Sequence, residues 1–320
     1  MFAGICKWLL RKKNIAKITE NILDEKIDLL HLHDFGLVSS LSNIDKPIIF
    51  TNHYKGSVYK ESIQYQGGKN HSAWKKYFMN IEKNAIDRAN LITFPSISAM
   101  NLLIEDFPTL EKNILDKHKI IYSGIDDKFS EIANINFADW QSKKENIILN
   151  IGNHIPDKGI ENSLNVFKHL SELNDDFIFI NVGAYGTETE KLNKLAQQLG
   201  LSNKVFFKGI VNHQDVMNYI SKAKFILHTP NRVVFDLALL ETMSSFTPII
   251  SSRALGNIEA LGKEHNLYVD SENKFDFNLD LLKNERSLFD IAKEQRERFL
   301  NQFTTAKMVS DYTKLYEEFL

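Results

Sequence analysis

Short apolar runs alternate with amphipathic stretches in the second half of this 320-residue chain, and this alternation constrains the fold most strongly. The apolar runs are Asn146–Ile151, Phe177–Val182, Val205–Lys208, Phe225–His228 and Pro248–Ser251. Between them, as at residues 192–199 and 216–223, apolar residues recur with the spacing of one helix face. Runs that are apolar throughout are typical of strands covered on both sides by helices. The pattern predicts an α/β fold of βα units around a parallel sheet.

The first half repeats this pattern less regularly. It predicts strands at Ile27–Leu32, Pro47–Thr51, Leu91–Phe94 and Lys119–Tyr122, and helices near residues 4–25, 72–89 and 96–106. Glycines in Tyr54–His71 predict a mobile loop, and the polar stretch Asp126–Lys144 predicts a linker between domains. Because 320 residues are typical of two domains, we predict one at residues 1–135 and one at 136–320.

Composition excludes several classes of function. The formal net charge of −2 argues against a nucleic-acid partner, which would require a basic surface. The single cysteine, Cys6, can form neither an internal disulfide nor a zinc cluster, which indicates a reducing compartment and a cytoplasmic location. No run reaches the about 18–20 apolar residues that a membrane-spanning helix needs.

The first residues, MFAGICKWLLRKKNIAK, are both basic and apolar. They fit a secretory signal poorly, because the apolar run is short and no small-residue cleavage pattern follows. Two interpretations stay open: a first helix packed on its own domain, or a peripheral contact with anionic lipid at the inner face of the cell membrane through Trp8–Lys13.

Two glycine-containing loops follow the first two strands of the second half, at Gly152–Gly159 and Gly183–Gly186. Glycine lets the backbone approach a ligand closely, and the helix that follows presents free N–H groups to an anion. Lys158 adds a positive charge that suits a phosphate. Each loop alone is also compatible with an ordinary βα turn, but together they predict a ligand site at the carboxyl edge of the sheet.

Glu241 lies inside the apolar segment Phe235–Met243, which is predicted to be a buried central helix. An unpaired carboxylate is costly to bury, so this one requires either an exposed helix face, a local hydrogen bond or a ligand. The surrounding sequence favours a carboxylate that accepts hydrogen bonds from ligand hydroxyls.

The order of these motifs resembles the donor domain of the retaining GT-B glycosyltransferases, the large group that includes bacterial lipopolysaccharide, capsule and mannosyl-lipid enzymes. The resemblance runs from Asn146 to Tyr268 through NIGNHIPDKG, INVGAYG, KVFFKGI, FDLALLETM and LGNIE. In the first half DLLHLHD, IIFTNH, ANLITFPS and KIIYSGID are similar to the same group. The resemblance implies two Rossmann-like domains facing a cleft. It also implies that the N-terminal domain is reduced, since only one predicted helix precedes DLLHLHD.

The resemblance also implies roles for individual residues. Lys158 would contact the diphosphate of a nucleotide-sugar, and Glu241 the ribose hydroxyls. The residues implied in donor binding are Gly152, Asn153, Lys158, Gly183, Gly209, Ile210, Arg232, Asp236, Leu237, Ala238 and Glu241. His53 would bind the acceptor or assist catalysis electrostatically, although a structural histidine is an equal alternative. His33 and Asp34 would join it on the acceptor side, and the catalytic candidates are His53, Lys158 and Glu241.

Five positions depart from the pattern of the group. Asn153 stands where an arginine is usual and Val233 where the first glutamate of a pair is usual. Glycines are usual at the positions of Asp236, Phe246 and Leu255. Losing two charge-assisted contacts would weaken donor binding by a factor of about 10² to 10⁴ unless they are replaced. Arg232 and Asp236 are the candidate replacements.

The function implied by the resemblance is a hexosyltransferase. It would move a sugar from a UDP- or GDP-linked donor to a glycan or lipid-linked acceptor in surface polysaccharide biosynthesis, with retention at the anomeric carbon. No D-x-D motif is present, so we expect neither a metal nor a cofactor beyond the nucleotide-sugar. The departures above leave an alternative, a non-catalytic GT-B-like subunit that stabilises a partner glycosyltransferase. A nucleotide-sugar epimerase would need acid–base residues that the sequence does not reveal.

Overall fold

The computed structural model describes residues 27–41, 44–61, 72–132 and 134–320. The helix predicted near residues 4–25, and with it the basic segment at the start of the chain, lies outside the described residues. Within the described part, no helix has both the length and the apolar character needed to cross a membrane.

The chain forms two compact units. Residues through Ser123 together with Met308–Leu320 make the first, and Gly124–Lys307 make the second. The predicted division at residues 135/136 differs from this in two ways, since it assigned residues 124–135 to the first domain and the last thirteen residues to the second.

The first unit contains a four-stranded parallel sheet in the order β1-β2-β3-β4. Its strands are β1 (Leu30–Leu32), β2 (Ile48–Thr51), β3 (Leu91–Phe94) and β4 (His118–Ile120). Among the described residues up to 123, four helices are bounded at both ends: α1 (Phe35–Ser40), α2 (Ser72–Arg88), α3 (Ile97–Asp106) and α4 (Glu111–Asp116). The central strands are fully buried at Ile49, Phe50 and Ile92. All four strands predicted in this half are confirmed, within a few residues at their ends.

The second unit contains a six-stranded parallel sheet in the order β10-β9-β8-β5-β6-β7. Its strands are β5 (Glu145–Ile151), β6 (Ile178–Val182), β7 (Val205–Phe207), β8 (Ala223–His228), β9 (Ile249–Ser252) and β10 (Tyr268–Val269). Chain order reverses between β5 and β8, which lie side by side. The carboxyl ends of these two strands therefore form the switch point where doubly wound sheets bind ligands.

The helices of the second unit flank this sheet. They are α5 (Phe137–Lys143), α6 (Ile160–Leu173), α7 (Thr189–Gln198), α8 (His213–Lys222), α9 (Leu237–Ser244), α10 (Leu255–Leu261) and α11 (Glu285–Gln302). The five strands predicted in this half are confirmed, and so is the α/β class. The segment Phe235–Met243 is helical from Leu237, but its burial is one-sided, because Leu237 remains 49% exposed.

The last helix, α12 (Thr305–Glu317), has most of its length in the first unit. Its Leu315 is fully buried in one cluster with Ile49 and Ile121. The apolar period of α12 predicts a helix but not which sheet the helix covers, and this is why the predicted boundary misassigned it.

The predicted linker Asp126–Lys144 is instead a part of the second unit's core. Its helix α5 carries Trp140, which is 1% exposed and belongs to the main apolar cluster. The Trp140 ring contacts Phe289 edge-on, and its Nε1 donates a hydrogen bond to the Phe246 carbonyl at 2.7 Å. The prediction of a linker was wrong because one large aromatic residue anchors a segment that otherwise looks polar.

The predicted mobile loop Tyr54–His71 is also partly wrong, although residues 62–71 lie outside the description. Residues 58–61 are helical, and two carboxylates from other helices cap this turn. Asp106 accepts a hydrogen bond from the Ser57 amide at 2.6 Å, and Glu82 accepts one from the Val58 amide at 2.5 Å. The buried helix start needs these acceptors because its first N–H groups have no partner within the helix.

Glu82 gives the first unit a pH-dependent stability. Its side chain is 1% exposed, and burial raises its pKa to about 8, with the Val58 amide opposing and the Asp106 charge adding to the shift. From the unfolded pKa near 4.5 up to 8, the unfolded chain releases this proton while the folded chain keeps it. Stability therefore falls as pH rises, by about 1.4 kcal/mol for each pH unit from this group.

We expect Glu82→Gln to remove that slope while it keeps an acceptor for the Val58 amide. Urea unfolding measures the free energy of unfolding of both proteins at pH 5 and pH 8. The difference, variant minus wild type, should be larger at pH 8 than at pH 5 by a few kcal/mol. The exposed Glu105→Gln variant on α3 is the control and should follow the wild type. Parallel pH profiles for all three proteins would contradict the assignment.

Candidate functional site

Three glycines predicted from the sequence form a row along the carboxyl ends of β5, β6 and β7. The Gly152 amide donates to the Val182 carbonyl at 2.9 Å, and the Gly183 amide donates to the Gly209 carbonyl at 3.0 Å. A Cβ atom on Gly183 would lie 2.1 Å from the Gly152 carbonyl oxygen, so no larger residue fits there. The row leaves backbone exposed at the edge where a ligand of this sheet would bind.

Lys158 extends from the β5 loop toward the switch point. Its side chain runs over Gly152, where an added Cβ would come within 3.2 Å of Lys158 Cβ. The short 3₁₀ turn Pro156–Lys158 ends at Gly159, whose φ of +58° and whose close approach to the Thr229 carbonyl both require glycine. The loop sequence thereby fixes the position of a lysine whose Nζ donates to Asp236 Oδ2 at 2.6 Å.

Asp236 begins helix α9 and is bonded on both carboxylate oxygens. Oδ1 accepts from the Ala238 amide at 3.1 Å, while Oδ2 accepts from Lys158. Its side chain is 11% exposed. Burial raises the pKa of Asp236, but His228, Lys158 and the Ala238 amide lower it further, so that the pKa lies below its ordinary value. The carboxylate is therefore ionised at neutral pH.

His228 ends β8 beside this pair and was not predicted from the sequence. It is 6% exposed, and its Nε2 has no hydrogen-bond partner among the described residues. Burial lowers its pKa to about 4, with the Asp236 charge opposing, so the ring is neutral at pH 7. The available signal was a histidine that ends an apolar strand next to the switch point.

Glu241 lies in the second turn of α9, between the buried residues Leu240 and Thr242. Its side chain is 22% exposed, and its Oε1 lies 3.9 Å from His213 Nε2 at the start of α8. Burial raises its pKa, with the His213 charge opposing. This places Glu241 beside the segment that follows β7, where Ile210 is 82% exposed. The structure thus brings together two elements predicted to face the nucleoside.

The residues that depart from the group pattern are used within the protein. Asn153 Oδ1 accepts from the Ala184 amide at 2.8 Å and ties the two glycine loops together. Val233 is 9% exposed and belongs to the core. Arg232 is half-buried, and its amide lies 3.5 Å from the Asp157 carbonyl of the Lys158 turn. The backbone at Arg232 therefore lies beside that turn.

The acceptor-side candidates lie together in the first unit, at the carboxyl ends of β1 and β2. His33 Nδ1 and His53 Nε2 are 2.8 Å apart, and their rings stack at 5.1 Å. Burial lowers the pKa of both, and the neighbouring His33 charge lowers that of His53 further. Asp34 is committed to capping α1, since it accepts from the Leu37 amide at 2.9 Å.

His31 lies in β1 beside this pair, with its ring centroid 4.5 Å from that of His33. Its Nε2 lies 2.6 Å from Thr51 Oγ1, and its Nδ1 lies 2.7 Å from the Tyr316 hydroxyl of α12. Burial lowers the pKa of His31 to about 4, helped by the charges of His33 and His53. In the part of the chain that the structure describes, no three histidine, cysteine or acidic side chains are arranged to hold a metal ion.

Family models match both halves of the chain. The model described as Glycosyl transferases group 1 matches residues 133–298, which is more than half of the sequence, and the model described as Glycosyltransferase Family 4 matches residues 2–129. The chain belongs to the glycosyl transferases group 1 family. This membership confirms the resemblance to glycosyltransferases that the motifs indicated.

Individual members of the family are distant in sequence. An uncharacterised glycosyltransferase of Methanocaldococcus jannaschii is 26% identical over 252 residues, which are 76% of this chain and 62% of the relative. The N-acetyl-alpha-D-glucosaminyl L-malate synthase of Bacillus anthracis is 23% identical over 249 residues, 75% of this chain and 63% of the relative. The matched regions thus span less than two thirds of these relatives' length.

The family's fold is recognisable in solved structures. The Anabaena protein HepE, crystallised in complex with UDP and glucose, superposes with a TM-score of 0.70 at 16% identity, covering 95% of this chain and 81% of HepE. This likeness shows the fold alone. It confirms the predicted GT-B class with two Rossmann-like domains.

Proposed function

We propose that this protein transfers a sugar from a nucleotide-sugar to a hydroxyl group of a glycan or a lipid-linked acceptor. The observation that carries the proposal is the convergence of Lys158, the start of α9 and Glu241 at the carboxyl edge of one sheet, beside its switch point. Membership of the glycosyl transferases group 1 family and the complexes of HepE with UDP and UDP-glucose support it.

In this proposal each group has a chemical task. Lys158 and the first amides of α9 stabilise the negative charge that develops on the leaving diphosphate, a role that supplies a large part of many enzymes' rate enhancement. Glu241 accepts hydrogen bonds from the ribose hydroxyls, and the exposed Ile210 lies against the base. The row of glycines lets these parts of the donor approach the backbone.

On the acceptor side, the stacked pair His33 and His53 offers ring nitrogens to a sugar hydroxyl. Because both pKa values are lowered, the pair is neutral at pH 7 and can accept as well as donate hydrogen bonds. We propose His53 as the acceptor-binding or catalytic group and His33 as its positioning partner, with Asp34 acting through α1.

Three finer features of the proposal rest on the sequence motifs that resemble the retaining GT-B glycosyltransferases. They are retention at the anomeric carbon, independence of metal ions and a role in surface polysaccharide biosynthesis. The single cysteine and the low net charge favour a cytoplasmic protein without a nucleic-acid partner. A non-catalytic subunit that stabilises a partner glycosyltransferase is the competing hypothesis, and the relatives lend it no support.

The role of Glu241 can be tested by binding. We expect Glu241→Gln to bind UDP or GDP about 10- to 100-fold more weakly than the wild type, because it loses charge-assisted hydrogen bonds to the ribose. The wild type should bind the corresponding 2′-deoxy nucleotide more weakly by a similar factor, whereas the variant should bind both nucleotides with about equal affinity. Calorimetric titration measures these affinities. The control, Glu172→Gln, alters an exposed carboxylate near the end of α6 and should match the wild type.

Activity assays on the same purified proteins test the proposed sugar transfer. Slow hydrolysis of a UDP- or GDP-sugar, or transfer to a glycan acceptor, supports the enzyme. Nucleotide binding without any turnover across a panel of donors and acceptors would favour the non-catalytic subunit. If neither the wild type nor an Asp236→Asn variant binds a nucleoside diphosphate at millimolar concentration, the proposed function is wrong.

A further inference from the structure

The start of helix α9 carries a negative charge where the proposed function requires an anion site. The first amides of a helix and a nearby lysine attract phosphate because both are electropositive. Here Asp236 accepts hydrogen bonds from the Ala238 amide and from Lys158 Nζ at once. The carboxylate therefore engages the same donors that the proposed function assigns to the diphosphate.

Capping alone does not explain the charge. Helices elsewhere in the second unit are capped by asparagine, which accepts the same amide hydrogen bond without a charge, as at Asn136, Asn212 and Asn284. Asparagine and aspartate cap helices about equally well. The negative charge of Asp236 is therefore not needed for capping. Its electrostatic attraction acts on Lys158.

The surroundings of Asp236 make that effect strong. Its side chain is 11% exposed and that of Lys158 is 31% exposed, so solvent screens the pair less than it would a surface ion pair. The neighbouring His228 is also buried, with 6% of its surface exposed. Burial lowers the pKa of His228 to about 4, so its ring is neutral at pH 7 and brings no second positive charge to Asp236, which leaves Lys158 as the cation of this pair.

We propose that Asp236 is an internal competitor of the donor's diphosphate. Its carboxylate holds Lys158 and the start of α9 until a diphosphate displaces it, and it returns when the nucleoside diphosphate leaves. The site consequently binds the nucleoside diphosphate product weakly and releases it readily. This inference rests on the proposed function, because it concerns the same donor site.

The decisive variant is Asp236→Asn, which preserves the cap and removes the charge. We expect it to bind UDP or GDP about 10- to 100-fold more tightly than the wild type, since Lys158 no longer has a competing carboxylate. Affinity for uridine or guanosine, which have no phosphate, should stay unchanged. Asp236→Gly is a second variant with the residue usual in the group, and it should behave alike.

A matched control is available at the opposite edge of the sheet. Asp175 pairs with Lys204 near the amino ends of β6 and β7, so Asp175→Asn makes the same chemical change away from the site. Its affinity for nucleoside diphosphates should equal that of the wild type. Isothermal titration calorimetry on all four proteins, with thermal melting to verify folding, gives the comparison.

The outcomes distinguish the competitor role of Asp236 from the proposed function. Equal or weaker binding by both Asp236 variants, with measurable binding by the wild type, overturns the competitor and leaves the proposed function intact. A uniform gain that includes Asp175→Asn also overturns it, because only the net charge would then matter. Absence of binding by every protein overturns both.

Discussion

Replacing Lys158 by alanine is expected to lower the turnover of sugar transfer by about 10² to 10³-fold, the range found when one preorganised charge-stabilising donor is removed from an active site. The reason is geometric. The turn that ends at Gly159 holds Lys158 at the switch point, where the diphosphate would acquire charge as the sugar departs. Steady-state kinetics of transfer or of donor hydrolysis would measure the change.

The control for this experiment is Lys204→Ala, since Lys204 is also paired with an aspartate but lies at the opposite edge of the sheet. Its turnover should remain within a factor of about two of the wild type, as expected for a surface ion pair. Because Lys158→Ala leaves Asp236 without its cation, the double variant Lys158→Ala/Asp236→Asn separates lost catalysis from lost stability. Undiminished turnover in the folded Lys158→Ala variant would remove Lys158 from the mechanism.

Trp140→Ala should destabilise the second unit by about 3–5 kcal/mol, as large-to-small changes at buried aromatic residues do. The ring is 1% exposed and lies against Phe137 and Phe289, so its removal leaves a cavity in the main cluster. The Phe246 carbonyl would also lose its hydrogen bond from Nε1. Urea unfolding followed by circular dichroism measures the loss.

Trp140→Phe provides the graded comparison. Phenylalanine keeps most of the ring contacts and loses only the hydrogen bond and part of the volume, so its cost should be clearly smaller than that of alanine. If alanine at this position left the unfolding midpoint unchanged, residues 137–143 would behave as the linker that their polar sequence suggested. The two substitutions thus distinguish a core element from a connection.

The strands of both sheets could be predicted because their apolar runs are local signals. Ile147–Leu149 and Phe225–Leu227 read as buried strands without any knowledge of what surrounds them, and the structure buries them. Glycine positions were similarly readable, since Gly152, Gly183 and Gly209 each follow a strand. What these signals share is that they depend on a few consecutive residues.

Features that depend on distant partners could not be predicted. Lys158 and Asp236 are 78 positions apart, and nothing in either neighbourhood indicates that they pair. Trp140 likewise packs against Phe289 and donates a hydrogen bond to the Phe246 carbonyl, 106 positions away. The resemblance named Lys158 and Glu241 as site residues, but His228 has no motif to mark it, because its place is defined only by the neighbouring strands and by Asp236.

The return of the chain to the first unit has a consequence for synthesis on the ribosome. The cluster around Ile49 and Ile121 is completed by Leu315, and His31 and Thr51 bond to Tyr316 and Tyr312. These partners emerge only after the whole second unit has been translated. We therefore expect nascent chains stalled after residue 123 to remain sensitive to protease, and the second unit to reach its native state first, reversing the usual order in which amino-terminal domains fold earliest.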